Sequence, residues 1–254
     1  MNLFFSNFFR FGDFDLTEKT QNDGLLSKKF IILCYIYALT LTSFIWFLNA
    51  ENSKGFAIIS LAIGLFFLWG ICSAFIMSKI KDPLKYFFQS RSYPIFIVVS
   101  LGGILLALVE EAFATLMTNM APLFGFSTSE VFITASSNYI EVVTKHSVIV
   151  FIPWFIAWGI ILHKWSVHPN LVFILFGTTG LFAESLSFGL QNLLQFGFWI
   201  IIYGLMIYLP SFIVYDPKKL EPLKKKYFPL LIIVPFFALI IWAVLFSFII
   251  LIIT

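Results

Sequence analysis

Seven runs of mostly apolar residues dictate what this chain can become: roughly 30–49, 56–78, 94–118, 146–163, 171–188, 194–215 and 229–253. A bilayer core about 30 Å thick is crossed by a helix of about 17–25 such residues. Of the 254 residues, 60% are hydrophobic and 11% charged, and the mean hydropathy is +0.97. Water-soluble domains carry about 25% charged residues, so that class is excluded. The fold class expected is all-α: a polytopic integral membrane bundle of seven transmembrane helices. Residues 1–29 form a cytoplasmic, partly interfacial N-terminal arm rich in Phe, and residues 30–254 a single transmembrane domain.

The basic residues orient the bundle. Fourteen of the 16 Lys and Arg fall on one side if there are seven spans, leaving only Lys54 and Lys145 on the other. By the positive-inside rule the N-terminus is cytoplasmic and the C-terminus external, in a multi-pass protein of the cell membrane. The basic residues are shared among loops, so the net charge of +3 says nothing about nucleic acid, and none is expected as a partner. The partners expected are the lipid bilayer and a membrane-protein partner or second copy of the chain, because the last run is apolar all round. Cys34 and Cys72 lie within apolar runs and read as small packing residues. No cofactor and no metal is called for: His163 and His168 flank a Pro-terminated helix end, with no Cys near.

The longest external connection runs from Asn119 to Lys145. Ser127 and Glu130 have the S-x-x-E spacing of a capping box, with Phe126 before the cap. The spacing predicts a short external interfacial helix from near Thr128 to Thr144, placed as a lid.

Inside the third run stand Glu110 and Glu111. An ionisable group at such a depth costs about 2.5–3.5 kcal/mol on insertion scales, which marks a functional site by default. Glu111 shares a helical stripe with Ser100, Ala107, Thr115 and Thr118, small and polar residues that suit a packed face. Neighbours on a helix point about 100° apart, so Glu110 is expected on the flank. The fifth run repeats the design with Gly177, Gly180, Glu184, Ser187 and Gln191. By depth and stripe, the candidate catalytic set is Glu111, Glu184, Glu110 and His146, in an outward-opening pocket. Thr115, Ser187, Gln191 and Asn192 are the candidate binding residues around it. Close carboxyls in a dry site share protons and can act as a general base or a relay, and a histidine beside them could stabilise an oxyanion.

The Glu110-Glu111 pair is faintly similar to the EExxxR motif of the CAAX-type glutamate intramembrane proteases, which would imply hydrolysis inside the membrane. Thr115 stands where that motif has arginine. Gly159 and Val142 stand where its FxxxH motif would need phenylalanine before His163 and His146. Three functional classes remain: a membrane-embedded hydrolase or transferase, a proton- or ion-coupled carrier, and a non-catalytic membrane subunit or assembly factor, the last slightly favoured.

Overall fold

Apolar sequence becomes helix wherever backbone polar groups must be satisfied without water. The computed structural model describes residues 18–217, 221–222 and 227–253. The N-terminal arm up to residue 17, and with it Arg10, lies outside the described residues, as do Lys218, Lys219 and Lys224 to Lys226. The helices are α1 (Glu18–Leu48), α2 (Ser53–Ser90), α3 (Ile95–Asn119), α4 (Val148–Lys164), α5 (Pro169–Phe188), α6 (Phe196–Val214) and α7 (Leu230–Ile253). Besides helix there is a two-residue parallel pairing of Trp165–Ser166 with Glu221–Pro222. Among the described residues five helices are long and apolar enough to cross a membrane, or six if the short helix Tyr139–His146 and α4 form one bent span. The chain is therefore an all-helical, membrane-embedded protein.

Helix α6 is the axis. Every residue from Ile200 to Ile213 is buried, and α1, α2, α3 and α5 all pack around it. Lipid tails are as apolar as leucine, so such packing depends on close fit rather than on escape from water. Between α5 and α6 the fit is made by glycine. A Cβ on Gly177 would come within 2.8 Å of the Ile200 Cα, so the two backbones touch there. One turn on, a Cβ on Gly180 would press into the ring of Tyr203.

Helix α2 joins this core through a π-helical stretch, Phe66–Ser73. Trp69 in that stretch donates its indole N–H to the Ile202 carbonyl of α6 at 2.8 Å. The Tyr35 hydroxyl of α1 donates to the Gly70 carbonyl at 2.7 Å, a group that the shifted π ladder makes available. Helix α7 packs against α4, with Trp242 donating to the Ile149 carbonyl at 2.9 Å. Its other faces, including Ile233, Phe237 and Ile241, are exposed.

The connection after α3 departs from the expected lid helix. Ser127 does meet Glu130: its N–H and its hydroxyl both donate to the Glu130 carboxylate, at 2.8 and 2.7 Å. The result is one turn, not a helix. Thr118 Oγ1 at the end of α3 accepts the N–H groups of Ile133 and Thr134, at 3.0 and 3.1 Å. Those amides are the ones a helix would need for its own ladder. Helix starts only at Tyr139, capped by Asn138, whose side chain accepts from the Ile140 N–H at 3.0 Å.

Candidate functional site

Glu110 and Glu111 sit in the half of α3 farther from the lysine-rich end of the bundle, and both are buried, 5% and 7% exposed. Helix α3 packs against both α4 and α6, so its enclosed arc is wider than one stripe and takes in two neighbouring residues. Glu110 interacts electrostatically with Glu111 and with Glu184 of α5. The three acids are thus near enough to act on one another electrostatically.

Each carboxyl has different company. Glu184 Oε1 accepts the hydroxyl of Tyr203 on α6 in a short hydrogen bond. Glu111 Oε2 accepts the Thr134 hydroxyl at 3.2 Å; Ser147 lies near it, with its hydroxyl donating to the Val142 carbonyl at 3.4 Å. Glu110 makes no hydrogen bond among the described residues, and its electrostatic neighbours are the other two acids. Tyr203 is held edge-on to Phe151 at 5.8 Å and tilted against Trp154 at 5.9 Å. Trp154 itself stacks flat on Phe176 at 3.7 Å. An aromatic layer from α4, α5 and α6 therefore underlies the acids. Among the described residues, no group of three or more His, Cys, Asp or Glu is placed to hold a metal.

Other expected members lie elsewhere. His146 is exposed and stands beside Glu141, not in the cluster. The reason is a 52° bend between Tyr139–His146 and α4, which gives the inward place to Ser147. Ser187 and Gln191 are exposed, and the Gln191 amide only caps the Phe188 carbonyl at 2.8 Å. Asn192 is buried and ties the α5–α6 turn by donating to the Glu184 carbonyl oxygen at 3.2 Å. Thr115 is buried one turn from Glu111, with a hydroxyl that has no hydrogen-bond partner among the described residues.

Tyr203, Thr134 and Ser147 escaped the sequence reading. A signal for Tyr203 did exist: it follows the α5–α6 turn by two helical turns while Glu184 precedes it by one, so an antiparallel hairpin brings their side chains within reach.

The loop closes over this cluster like a strap. Besides the Thr118 bonds, the Tyr139 hydroxyl donates to the Leu108 carbonyl at 3.0 Å and the Asn119 amide donates to the Ser137 carbonyl at 2.9 Å. Thr118→Val removes an oxygen that accepts two amides, each bond worth about 0.5–1.5 kcal/mol. Hydrogen–deuterium exchange of residues 127–138 should then rise while α3 and α6 stay protected. The strap also has a pH limit. The Ser127 N–H, and then its hydroxyl, hold the exposed Glu130 carboxyl below the ordinary carboxylate range. A group with its folded value lowered stabilises the turn above its unfolded value, and that support fades as pH falls through the folded value. Exchange at 127–131 should accordingly be flat near neutrality and increase only in acid.

No family model, curated protein or solved structure matches the chain.

Proposed function

We propose that this is a seven-span protein of the cell membrane, N-terminus cytoplasmic and C-terminus external, that serves as a non-catalytic subunit or assembly factor. In this reading Glu110, Glu111, Glu184 and Tyr203 lie within the bilayer and tie α3, α5 and α6 together. One observation carries it: two of the acids are met by donors from the bundle or its strap, the third meets only the other acids, and the histidine that would assist chemistry stands outside. General acid–base chemistry needs a base within reach of a substrate held in a reachable cavity. A cavity of about 220 Å³ lies near the start of α3, about 20 Å along that helix from Glu111. The exposed apolar faces of α1 and α7, among them Ile36, Phe47, Phe237 and Ile241, support a lipid, partner-helix or self-association surface.

A second reading has an observation of its own. Three acids, one without a hydrogen bond, are more than a tie requires and suit a group that binds and releases protons. Glutamine substitution separates the two: it keeps shape and much hydrogen bonding but carries no exchangeable acid proton. Under the structural reading, Glu110→Gln leaves thermal stability and partner co-purification near wild type. Proton-coupled activity in proteoliposomes, abolished by Glu110→Gln, would replace it.

The topology is tested separately. Single cysteines at the exposed positions Ser53 and Ser137 should react with an impermeant thiol reagent in intact cells, and one at Ser90 should react only after permeabilisation. Labelling of Ser90 in intact cells would reverse the orientation.

A further inference from the structure

Thr134 fastens the strap to the acids. Its hydroxyl donates to Glu111 Oε2 at 3.2 Å, and its N–H donates to Thr118 Oγ1 at 3.1 Å. Tyr139, a little further on, reaches back to the Leu108 carbonyl at 3.0 Å. Residues 133–139 therefore lie alongside the last three turns of α3, a helix long and apolar enough to cross a membrane. From Val131 to Asn138 the backbone is neither helix nor strand. Irregular backbone at membrane depth does not face lipid; it persists only against protein or water. Ala135, Ser137 and Asn138 are exposed, so their open side meets water. Glu111, bonded to the same segment, is buried. One threonine thus separates a buried acid from solvent.

We propose that the strap is a gate, which opens as a unit toward that water and so exposes the Glu111 carboxyl. Little holds it shut. Of residues 126–138 only Val131 is buried, and the fastening to α3 is a set of single hydrogen bonds through Thr118, Asn119 and Glu111. Segments with few buried apolar contacts open locally at the low end of the free-energy range. Both ends can turn. Gly125 stands at a φ of 81° with nothing within 4 Å of an added Cβ, and at Asn138 irregular chain gives way to the helix that starts at Tyr139. The Ser127–Glu130 turn closes on itself and travels with the strap. The gate goes beyond both functional readings and holds under either, since acids that tie helices and acids that exchange protons lie under the same cover.

The full-length protein in lipid nanodiscs, where water reaches both faces, is treated with a charged, water-soluble carbodiimide and glycinamide. The carbodiimide adds to a carboxyl as an O-acylurea, and the amine displaces the urea to leave an amide, located by peptide mapping. Glu51, exposed in the α1–α2 turn, reports reagent activity and should label equally in every variant. Glu111 should label slowly in the native protein. Thr118→Val should raise its rate about tenfold, the effect of losing two modest hydrogen bonds from the closed state. Thr134→Val, a change in the strap itself, should raise it by less, and it serves alone should Thr118→Val fail to fold. Labelling of Glu111 at a rate that neither variant changes would place its access elsewhere and overturn the gate. Labelling by a lipid-soluble carbodiimide alone, or by neither reagent, would overturn it as well, because no water route would then open at the strap.

Discussion

Gly177→Ala should destabilise the bundle strongly for the addition of one methyl group. The reason is what stands opposite. The new Cβ would meet the carbonyl oxygen, carbonyl carbon and Cα of Ile200, backbone atoms in the middle of a buried helix. A flexible side chain could move aside; a helix backbone moves only with its helix. Overpacking a fitted interior costs typically about 1–3 kcal/mol, and a backbone clash at the central helix belongs at or above the upper end. The shift would also separate α5 from α6 at the level where Glu184 receives the Tyr203 hydroxyl. Thermal unfolding in detergent should thus show a large loss for Gly177→Ala. An alanine at Gly125 should be milder: it lies in a turn with nothing within 4 Å of an added Cβ, so only its φ of 81° opposes substitution. Equal stability of the two variants would contradict the close approach of α5 and α6.

The second large effect is expected from replacing acids with leucine. Glu184→Leu keeps bulk but leaves the buried Tyr203 hydroxyl without its acceptor, and Glu111→Leu takes the acceptor from the half-buried Thr134 hydroxyl. An unsatisfied buried polar group costs about 1–3 kcal/mol. Glu184→Leu should therefore lower thermal stability clearly, and Tyr203→Phe in the same background should recover part of the loss by removing the orphan. Glu184→Gln retains an acceptor for Tyr203 and should fall well short of the leucine change. If leucine and glutamine behave alike at this position, the acid is not holding the helices.

The helices were legible because membrane insertion depends on long apolar runs, and α1 to α7 coincide with those runs within a few residues at most ends. At the first run, helix begins well before the apolar stretch, at Glu18. The meeting of Glu111 with Glu184 could be anticipated from depth and from the small-residue faces of two helices running the same way. The loop could not. A capping box is local, and Ser127 with Glu130 forms the local contact that its spacing implies. The fate of the next residues was set by Thr118, fifteen positions before Ile133, through a contact no short motif encodes. His146 was misplaced for a similar reason: the helix break falls at Ser147, and a one-residue difference turns a side chain from the interior to the surface. Tyr203 was hidden by composition, since it is one of two tyrosines in an apolar helix and gains meaning only from Glu184 across the turn.

The most direct test of the shared cluster is a double-mutant cycle between two helices. Glu110→Gln and Glu184→Gln, singly and together, are compared for stability against denaturant in the same detergent. Groups in contact or in one network couple by about 0.5–3 kcal/mol, whereas independent sites add within about 0.3–0.5 kcal/mol. Carboxyls of α3 and α5 that meet in one enclosed group should give a coupling in the first range, diminished when Tyr203 is also changed to phenylalanine. Simple additivity of the two glutamine changes would mean that the acids lie in separate surroundings, and would contradict the cluster on which the functional reading rests.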